Sequence, residues 1–518
     1  MLCSEVVSTL KLVGGGALCL ALLGCSSATN SNVDGGPGID AAPPVCEVGT
    51  NRCSAGVLQA CETGQWSTTE VCESACDATL GCVPCRPSSN HCFEDKVYAC
   101  DEGGNRGELI EACGGATHCS AGTCTDLCVG AAATHSYIGC EYWAVDLDNA
   151  IEVYEPGNGA VGCLSGSVAR NDLLVCHTNA GPVKIAGLCD ENNTCQNGFT
   201  CETSEVCVYD AQHSPFAIVV SNPQDFAVEV TLEDADGTSE LVSVDPKAVH
   251  TLYPQALGFV DRSIDYSGIT PSAYKITANA PIVAYQFNPL ENVDVFSNDG
   301  SILLPRTAYG DHYYGVTRPT EVRRPLKNDY NGYLSVIAWQ DDTQVTVTPK
   351  TGVRPQGAFP GIAAGVSTTI TLAAFEVLHL ESVASGDLSG STVEAANAKT
   401  FAVFSGHEAA GMPHEDGSCC SDHLEEQMFP TATWGKRFAV ARSQTRIGEA
   451  DVLRIVAQRD NTVVTTDPVI AGCPTLATGE FCDLDIASDV EVSATEPILV
   501  AHFLKSVNSR TAPATGDP

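Results

Sequence analysis

The chain has 518 residues, with 64 acidic and 26 basic side chains and a formal net charge of −38 at pH 7. A surface this acidic repels phosphate backbones at long range, so the composition argues against a nucleic-acid partner. No apolar run beyond residue 25 reaches the roughly 20 residues that a membrane-spanning helix needs. The length allows several domains with at least one large core.

The amino terminus carries the pattern of an export signal. An apolar run that begins at Leu12 ends at Cys25 in the tetrapeptide Leu-Leu-Gly-Cys, which is typical of a bacterial lipoprotein signal peptide. We therefore expect residues 1–25 to be cleaved as a signal, with lipidation of Cys25 as the membrane anchor. Because Ser26 rather than Asp follows, the expected location is the outer membrane, at the cell surface.

A tether and two cysteine-rich modules follow the signal. Residues 26–45 are rich in Ser, Gly, Pro and Asn and contain too few apolar side chains to fold. Modules 46–84 and 85–127 each hold six cysteines, and in segments this short, cross-links rather than a core must supply stability. We expect three disulfides per module, with the pairing open among fifteen possibilities. The candidates are Cys46, Cys53, Cys61, Cys72, Cys76 and Cys82 in the first module, and Cys85, Cys92, Cys100, Cys113, Cys119 and Cys124 in the second.

Zinc binding is the alternative role for these cysteines. It would require short Cys-x-x-Cys pairs in a reducing compartment. In the two modules, Cys82 and Cys85 alone have that spacing, and they lie on opposite sides of the module boundary. Disulfides are therefore the preferred interpretation.

Residues 128–518 have an all-β pattern, interrupted by a cysteine-rich insert at about 156–211. Short runs rich in Val, Thr and aromatic residues alternate with Asp, Asn and Gly, as is typical of strands and turns. Three sequence echoes indicate that this region repeats three times. The echoes begin at Asp225, Asp342 and Asn461, at Ala278, Ala396 and Ala494, and at Gly139, Gly310 and Gly435.

Each repeat contains roughly eight strand signals, which fits two architectures. A propeller-like ring of about six four-stranded blades is preferred, because the repeats lack linker-like sequence between them. Three tandem β-sandwiches are the alternative. In the propeller, closure is expected from an early strand at Glu141–Leu147, unless the ring is a shortened form.

Three segments of this β region together resemble the IgGFc-binding protein amino-terminal domain family. They are Gly139–Asp146 with the sequence GCEYWAVD, Phe404–His407 with FSGH, and Cys419–Gln427 with CCSDHLEEQ. The resemblance extends from about Cys128 to Pro518. Bacterial members of the family often place a lipoprotein signal and cysteine-rich modules ahead of the domain. The family name records Fc binding by a mucosal relative, and the resemblance does not carry that ligand over to this chain.

The densest group of potential ligands lies between His407 and Glu426. Imidazoles and carboxylates that converge from one long loop would suit a transition metal, and the candidate metal ligands are His407, His414 and His423. The structural alternative is that Cys419 and Cys420 form disulfides that fix this loop to the sheet. Two further disulfides are expected, Cys128 with Cys140 and Cys473 with Cys482.

Two acidic motifs offer ligands that calcium could use, although no cofactor is expected. Asp234–Gly237 and Asp146–Asn149 cluster oxygen ligands of the kind that calcium accepts, but neither continues into a twelve-residue calcium loop. Asp-Gly between alternating strands is first of all a hairpin turn. The turn is the preferred interpretation.

Together these observations predict a non-catalytic binding or adhesion protein at the cell surface. Its membrane contact is the lipid anchor, and its expected ligand is a glycan or glycoprotein. The alternative is a metal-dependent cell-envelope hydrolase that uses the 407–426 loop. A structural coat protein that associates with itself is a third possibility.

Overall fold

The computed structural model describes residues 46–506 apart from 115–116, 135, 155–162, 164–166, 179–183, 190–192, 196–197, 292–294, 296, 322–328, 413–420 and 445–448. The predicted signal peptide, the tether and Cys25 lie outside the described residues. The chain divides into two compact units, Met1–Val83 and Pro84–Pro518. The predicted module boundaries stay predictions.

The first unit is a small disulfide-linked β module. Its strands are β1 Asn51–Ser54, β2 Val57–Glu62, β3 Gln65–Val71, β4 Ala75–Asp77 and β5 Gly81–Val83. Strands β1, β2 and β3 form one antiparallel sheet, and β4 pairs with β5. The disulfides are Cys46–Cys61, Cys53–Cys76 and Cys72–Cys82.

The second unit begins with a module that has the same disulfide order. Its elements are β6 Asn90–Phe93, β7 Lys96–Cys100, β8 Arg106–Ala112, β9 Thr117–Ser120, β10 Thr123–Asp126 and the helix α1 Leu127–Ala132. The disulfides Cys85–Cys100, Cys92–Cys119 and Cys113–Cys124 join the first cysteine to the third, the second to the fifth and the fourth to the sixth, as in the first module. The expectation of disulfides is supported, and the structure selects one pairing out of fifteen. Cys128–Cys140 then links α1 to the β region.

Three groups of strands make up the β region. The first group is β11 Gly139–Val145, β18 Ala217–Ser221, β19 Val228–Glu233, β20 Ser239–Val244, β21 Val249–Leu252, β22 Gly268–Thr270, β23 Ala273–Asn288 and β24 Asp299–Ile302. The second group is β25 His312–Tyr314, β26 Gly332–Ile337, β27 Thr343–Thr348, β28 Thr368–Leu372, β29 Val377–Glu381, β30 Thr392–Ala395, β31 Ala402–Ala410 and β32 Asp422–Gln427. The third group is β33 Gly435–Val440, β34 Asp451–Ala457, β35 Val464–Asp467, β36 Phe481–Ile486 and β37 Val490–Phe503.

A cysteine-rich insert separates β11 from β18. Its strands are β12 Ile151–Tyr154, β13 Val168–Arg170, β14 Leu174–His177, β15 Ile185–Leu188, β16 Thr200–Thr203 and β17 Val206–Asp210. They form two three-stranded sheets, β12-β17-β13 and β15-β14-β16. The insert carries its own disulfides, Cys163–Cys207, Cys176–Cys195 and Cys189–Cys201.

Each of the three groups forms two sheets with a shared strand order. In the second group the sheets run β28-β27-β30-β25 and β29-β26-β31-β32, with β22 added beside β29. In the first group the long strand β23 serves both sheets: its first half pairs with β11 and β19, and its second half with β18 and β24. Strand β37 does the same in the third group, pairing with β33 and β35 and then with β34.

The two sheets of a group face each other across one core, so each group is a β-sandwich. In the second sandwich, Leu334 of β26 and Val345 of β27 belong to the same buried cluster although they lie in different sheets. The all-β prediction is confirmed. The propeller-like arrangement is not, since the strand orders are those of the alternative, tandem sandwiches. The expectation that Glu141–Leu147 closes a ring is wrong, because β11 pairs with β23 inside the first sandwich.

Neighbouring sandwiches share buried surface. All six residues of β26 are buried, and alternation divides them between two cores. Leu334 and Val336 lie in the core of the second sandwich, whereas Tyr333 and Ile337 lie in that of the first. The middle sandwich is therefore packed on both faces of one sheet. This packing fixes its edge strand β32 relative to both neighbours.

Gly310, at the start of the second sandwich, lies close to Pro430. A Cβ added at Gly310 would lie 2.3 Å from the Cβ of Pro430, so Gly310→Ala is expected to lower the free energy of unfolding by about 1–3 kcal/mol through overpacking. Gly268→Ala is the matched control, because no atom lies within 4 Å of its added Cβ. Urea unfolding of both variants checks the expectation, and equal midpoints would contradict it.

Among the described residues, no helix is long and apolar enough to cross a membrane. Helix α1 has six residues.

Candidate acidic cavity

A cavity of about 400 Å³ lies between the second and third sandwiches. One wall is formed by consecutive residues of β37, and the opposite wall by β31, β32 and the chain that follows β32. The lining residues are Tyr137, Asp299, Val316, Thr317, Ser405, Gly406, Leu424, Glu425, Glu426, Gln427, Met428, Phe429, Leu499, Val500, Ala501, His502 and Phe503. A concave site with apolar walls and a few polar groups is the usual form of a binding site.

Strand β32 supplies most of the polar groups. Because side chains alternate along a strand, His423, Glu425 and Gln427 turn toward the buried side, whereas Glu426 is exposed. Two hydrogen bonds to the neighbouring strand β24 hold β32 in place. The N–H of Glu425 donates to the Asp299 carboxylate at 2.9 Å, and the N–H of Gln427 donates to the Ser301 hydroxyl at 2.9 Å.

The carboxyl groups around the cavity have raised pKa values. Restricted hydration, with the nearby Asp299 and Glu425 carboxyls, raises the pKa of Glu426 to about 8. The same restricted hydration and the charge of Glu425 raise the pKa of Asp299 to about 7. No basic side chain among the described residues forms an ion pair with Glu426. Such perturbed groups in a cavity are typical of functional sites.

Behind the cavity, Glu425 is part of a buried polar group. Its Oε2 accepts from Gln286 Nε2 at 3.3 Å and lies 3.7 Å from His423 Nε2. Its Oε1 has no hydrogen-bond partner in the described part of the chain. Burial raises the pKa of Glu425 well above its ordinary value and lowers that of His423. Both shifts favour the uncharged form of the side chain, which costs less to bury.

A second buried group joins the first and second sandwiches. Asp148 Oδ2 lies 3.3 Å from His379 Nε2, and Glu381 lies close enough for all three to offer ligand atoms within 4.8 Å of one another. Burial lowers the pKa of His379 to about 3 and raises that of Asp148 well above its ordinary value. Two carboxylates and an imidazole are ligands that zinc accepts, whereas calcium takes six to eight oxygens. The alternative to a metal is a proton shared by Asp148, His379 and Glu381, which would satisfy the same side chains by hydrogen bonding.

The structure places two of the three predicted metal ligands, His407 and His423, on strands rather than on one loop. His407 lies in β31, where its Nε2 is 3.1 Å from the Pro319 carbonyl oxygen, and His423 lies in the paired strand β32. Neither histidine belongs to the group of possible metal ligands around Asp148 in the described part of the chain. His414, Cys419 and Cys420 lie outside the described residues. Their proposed roles stay predictions.

The other predicted sites have structural partners. Cys473 is bonded to Cys482. The Asp234 carboxylate is held by Arg262 at 2.9 Å and accepts from the backbone N–H of Thr238 at 3.0 Å. Asp234–Gly237 is therefore a turn with an ion pair rather than an open calcium site. At the second motif, Asp148 faces His379 as described above.

Sequence reasoning missed His379 and Glu381. Both lie in β29, whose five residues, Val377–Glu381, are all buried. A histidine and a glutamate inside an otherwise apolar run were the available signal, because charged groups enter such strands only when paired or neutral.

Fold and site together define a disulfide-rich chain of tandem β-sandwiches with an acidic cavity on the second and third. Residues 299–518 match the family model described as IgGFc binding protein. The match begins at β24 and includes every lining residue of the cavity except Tyr137. The predicted resemblance began earlier, at about Cys128.

A curated relative with the same name extends the match. The chain is 28% identical to the human IgGFc-binding protein over 259 residues, which is 49% of this chain. The matched region covers 4% of the human protein, so most of that protein has no counterpart here. No solved structure matches the chain.

Proposed function

We propose that this chain is an exported protein that binds a protein or glycoprotein ligand through the cavity between its second and third sandwiches, without catalysing a reaction. Cys25 is the proposed lipid anchor, and the outer membrane at the cell surface is the proposed location. The family match supports a binding role, because both the family and the human relative are named for binding.

The cavity carries the proposal. All of its lining residues except Tyr137 lie within the matched region. It combines apolar residues such as Leu424 and Met428 with the Glu426 carboxyl, which has no ion-pair partner among the described residues, and it is open to solvent beside β37. A ligand that supplies a hydrogen-bond donor or a cation to Glu426, together with apolar surface, would match these walls.

An array of glycoproteins and isolated glycans tests the proposal on the full chain. We expect saturable binding to a subset of glycoproteins, and Glu426→Gln is expected to weaken it by about 1–2 kcal/mol through loss of a charge-assisted hydrogen bond. The matched control is Glu240→Gln on β20, an exposed site in the first sandwich with the same substitution. Binding that is absent, or unchanged in Glu426→Gln, would refute the cavity as the site.

The anchor is tested separately. Intact-mass measurement of the mature chain from membranes is expected to show a chain that begins at Cys25 and carries acyl groups. A chain that retains residues 1–24 would rule out the lipid anchor without bearing on the cavity.

A further inference from the structure

Among the residues that the structure describes, the second half of β37 has an unpaired edge, called the free edge below. Residues Ile498–Phe503 pair with β34 on one side. On the other side, no strand among the described residues pairs with 499–503. The cavity runs along this edge, since all five residues line it. An unpaired strand edge that faces a cavity is a template for a further strand.

The backbone groups that face the cavity follow from the pairing pattern. Gln458 N–H donates to the Pro497 carbonyl oxygen at 3.0 Å, and hydrogen-bonded pairs alternate along an antiparallel ladder. Leu499 and Ala501 therefore bond to β34. The N–H and C=O groups of Val500 and His502 point the other way, into the cavity.

The same edge is covered in the two preceding sandwiches. The second half of β23 pairs with β24 on this side, and β31 pairs with β32. Both added strands are antiparallel. The third sandwich has the same strand order up to β37. We therefore expect the edge of β37 to pair with an antiparallel strand.

The opposite wall determines which side chains such a strand would present. Leu424, Glu426 and Met428 alternate along β32 and the residue that follows it, and all three line the cavity. A strand laid beside β37 presents residues i, i+2 and i+4 to this wall. The side chains that complement this wall are an apolar one opposite Leu424, a basic one opposite Glu426 and an apolar one opposite Met428. The basic side chain is favoured because Glu426 has no cationic partner among the described residues.

We propose that the free edge of β37 accepts an extended peptide segment of a protein ligand as an added antiparallel strand, with a Lys or Arg directed to Glu426 between two apolar side chains. This inference rests on the proposed function and specifies its ligand class as a peptide strand rather than a glycan. Strand addition supplies affinity through main-chain hydrogen bonds and specificity through alternate side chains.

The probe is a labelled, end-blocked heptapeptide, Thr-Val-Thr-Lys-Thr-Val-Thr, titrated with the full chain and followed by fluorescence anisotropy. We expect saturable binding, and about tenfold weaker binding when its Lys is replaced by Glu. Val500→Pro is expected to weaken binding at least about tenfold, since proline removes an outward N–H while β34 keeps its ladder. Val500→Ala keeps that N–H and is the matched control.

Hydrogen exchange on the unaltered chain provides a test that needs no variant. Added peptide is expected to slow exchange of the Val500 and His502 amides and to leave Ala501, which is already bonded to β34, unchanged. Array binding without peptide binding or protection would overturn the added strand and leave the proposed function standing. Protection of Val500 by peptide together with a blank array would instead reject the function. Dimerisation of the chain that blocks the peptide would show the edge occupied by a second copy and would also overturn the proposal. Slow exchange of the Val500 and His502 amides before peptide is added would show the edge covered by the chain's own residues and would overturn it as well.

Discussion

Replacing Arg454 with alanine is expected to lower the free energy of unfolding by about 3–5 kcal/mol, because removing one member of a buried ion pair leaves its partners under-compensated. Among the described residues, Asp387 would keep no cationic partner, and Asp483 would keep only Arg318, at 3.0 Å. The Arg454 side chain is 3% exposed and lies between the second and third sandwiches. Its guanidinium donates two hydrogen bonds to Asp483, both at 2.8 Å, and one to Asp387 at 2.6 Å. A fourth goes to the Thr317 carbonyl oxygen at 2.8 Å.

An exposed ion pair on a neighbouring strand is the matched control. Arg437 donates to Glu491 at 2.9 Å, but its side chain is 75% exposed, so Arg437→Ala is expected to cost less than about 1 kcal/mol. Urea unfolding followed by circular dichroism compares the two variants. Equal losses would show that Arg454 contributes no more than a surface pair and would contradict the expectation.

Sequence echoes were informative where a local pattern has a local structural cause. At the same point of the second echo, three side chains accept a hydrogen bond from the backbone of the neighbouring strand: Asn279 from Glu229 at 3.0 Å, Asn397 from Gln344 at 3.3 Å and Thr495 from Val463 at 3.0 Å. The strand count per repeat follows from such patterns. The partner of each strand does not, because pairing is a long-range property.

The propeller preference failed for that reason. Strand β23 has sixteen residues and passes from one sheet to the other, and alternation alone does not show where a strand changes sheets. Eight strand signals therefore fit two blades or one sandwich equally well. Only the register separates the two architectures.

The polar side chains of the candidate site were misplaced because doubly buried strands lack alternation. All nine residues of β31 are buried, including His407 and Glu408. A run with this many polar groups was interpreted as part of a loop. In the fold it is an inner strand, and Glu408 is satisfied within the same sandwich, where it accepts two hydrogen bonds from Asn331, immediately before β26.

Raising the pH from 7 to 9 is expected to lower the free energy of unfolding. Burial raises the pKa values of Asp148, Glu408 and Glu425 well above their ordinary range, and that of Glu426 is about 8. In the unfolded chain these carboxyls ionise near pH 4. Between pH 4 and the raised values the folded state binds more protons, so stability falls as pH rises.

Above pH 7, the buried His379 and His423 no longer change stability with pH. Burial lowers the pKa of His379 and of His423, so these imidazoles make stability rise with pH only while the unfolded histidines titrate, around 6.5. Above that pH they are neutral in both states. A decline between pH 7 and 9 then reports the raised carboxyls together with His213, whose pKa is raised by its hydrogen bond to Asp210.

Glu425→Gln assigns part of the decline to one side chain. A neutral amide in its place can still accept from Gln286 and has no proton to lose, so the variant is expected to lose less stability than the parent chain between pH 7 and 9. One unit of pKa corresponds to about 1.4 kcal/mol, so a difference of that order is measurable by urea unfolding at pH 7, 8 and 9. Glu240→Gln, exposed on β20, should keep the parent slope. Parallel slopes for all three chains would mean that the Glu425 carboxyl is already charged in the folded state.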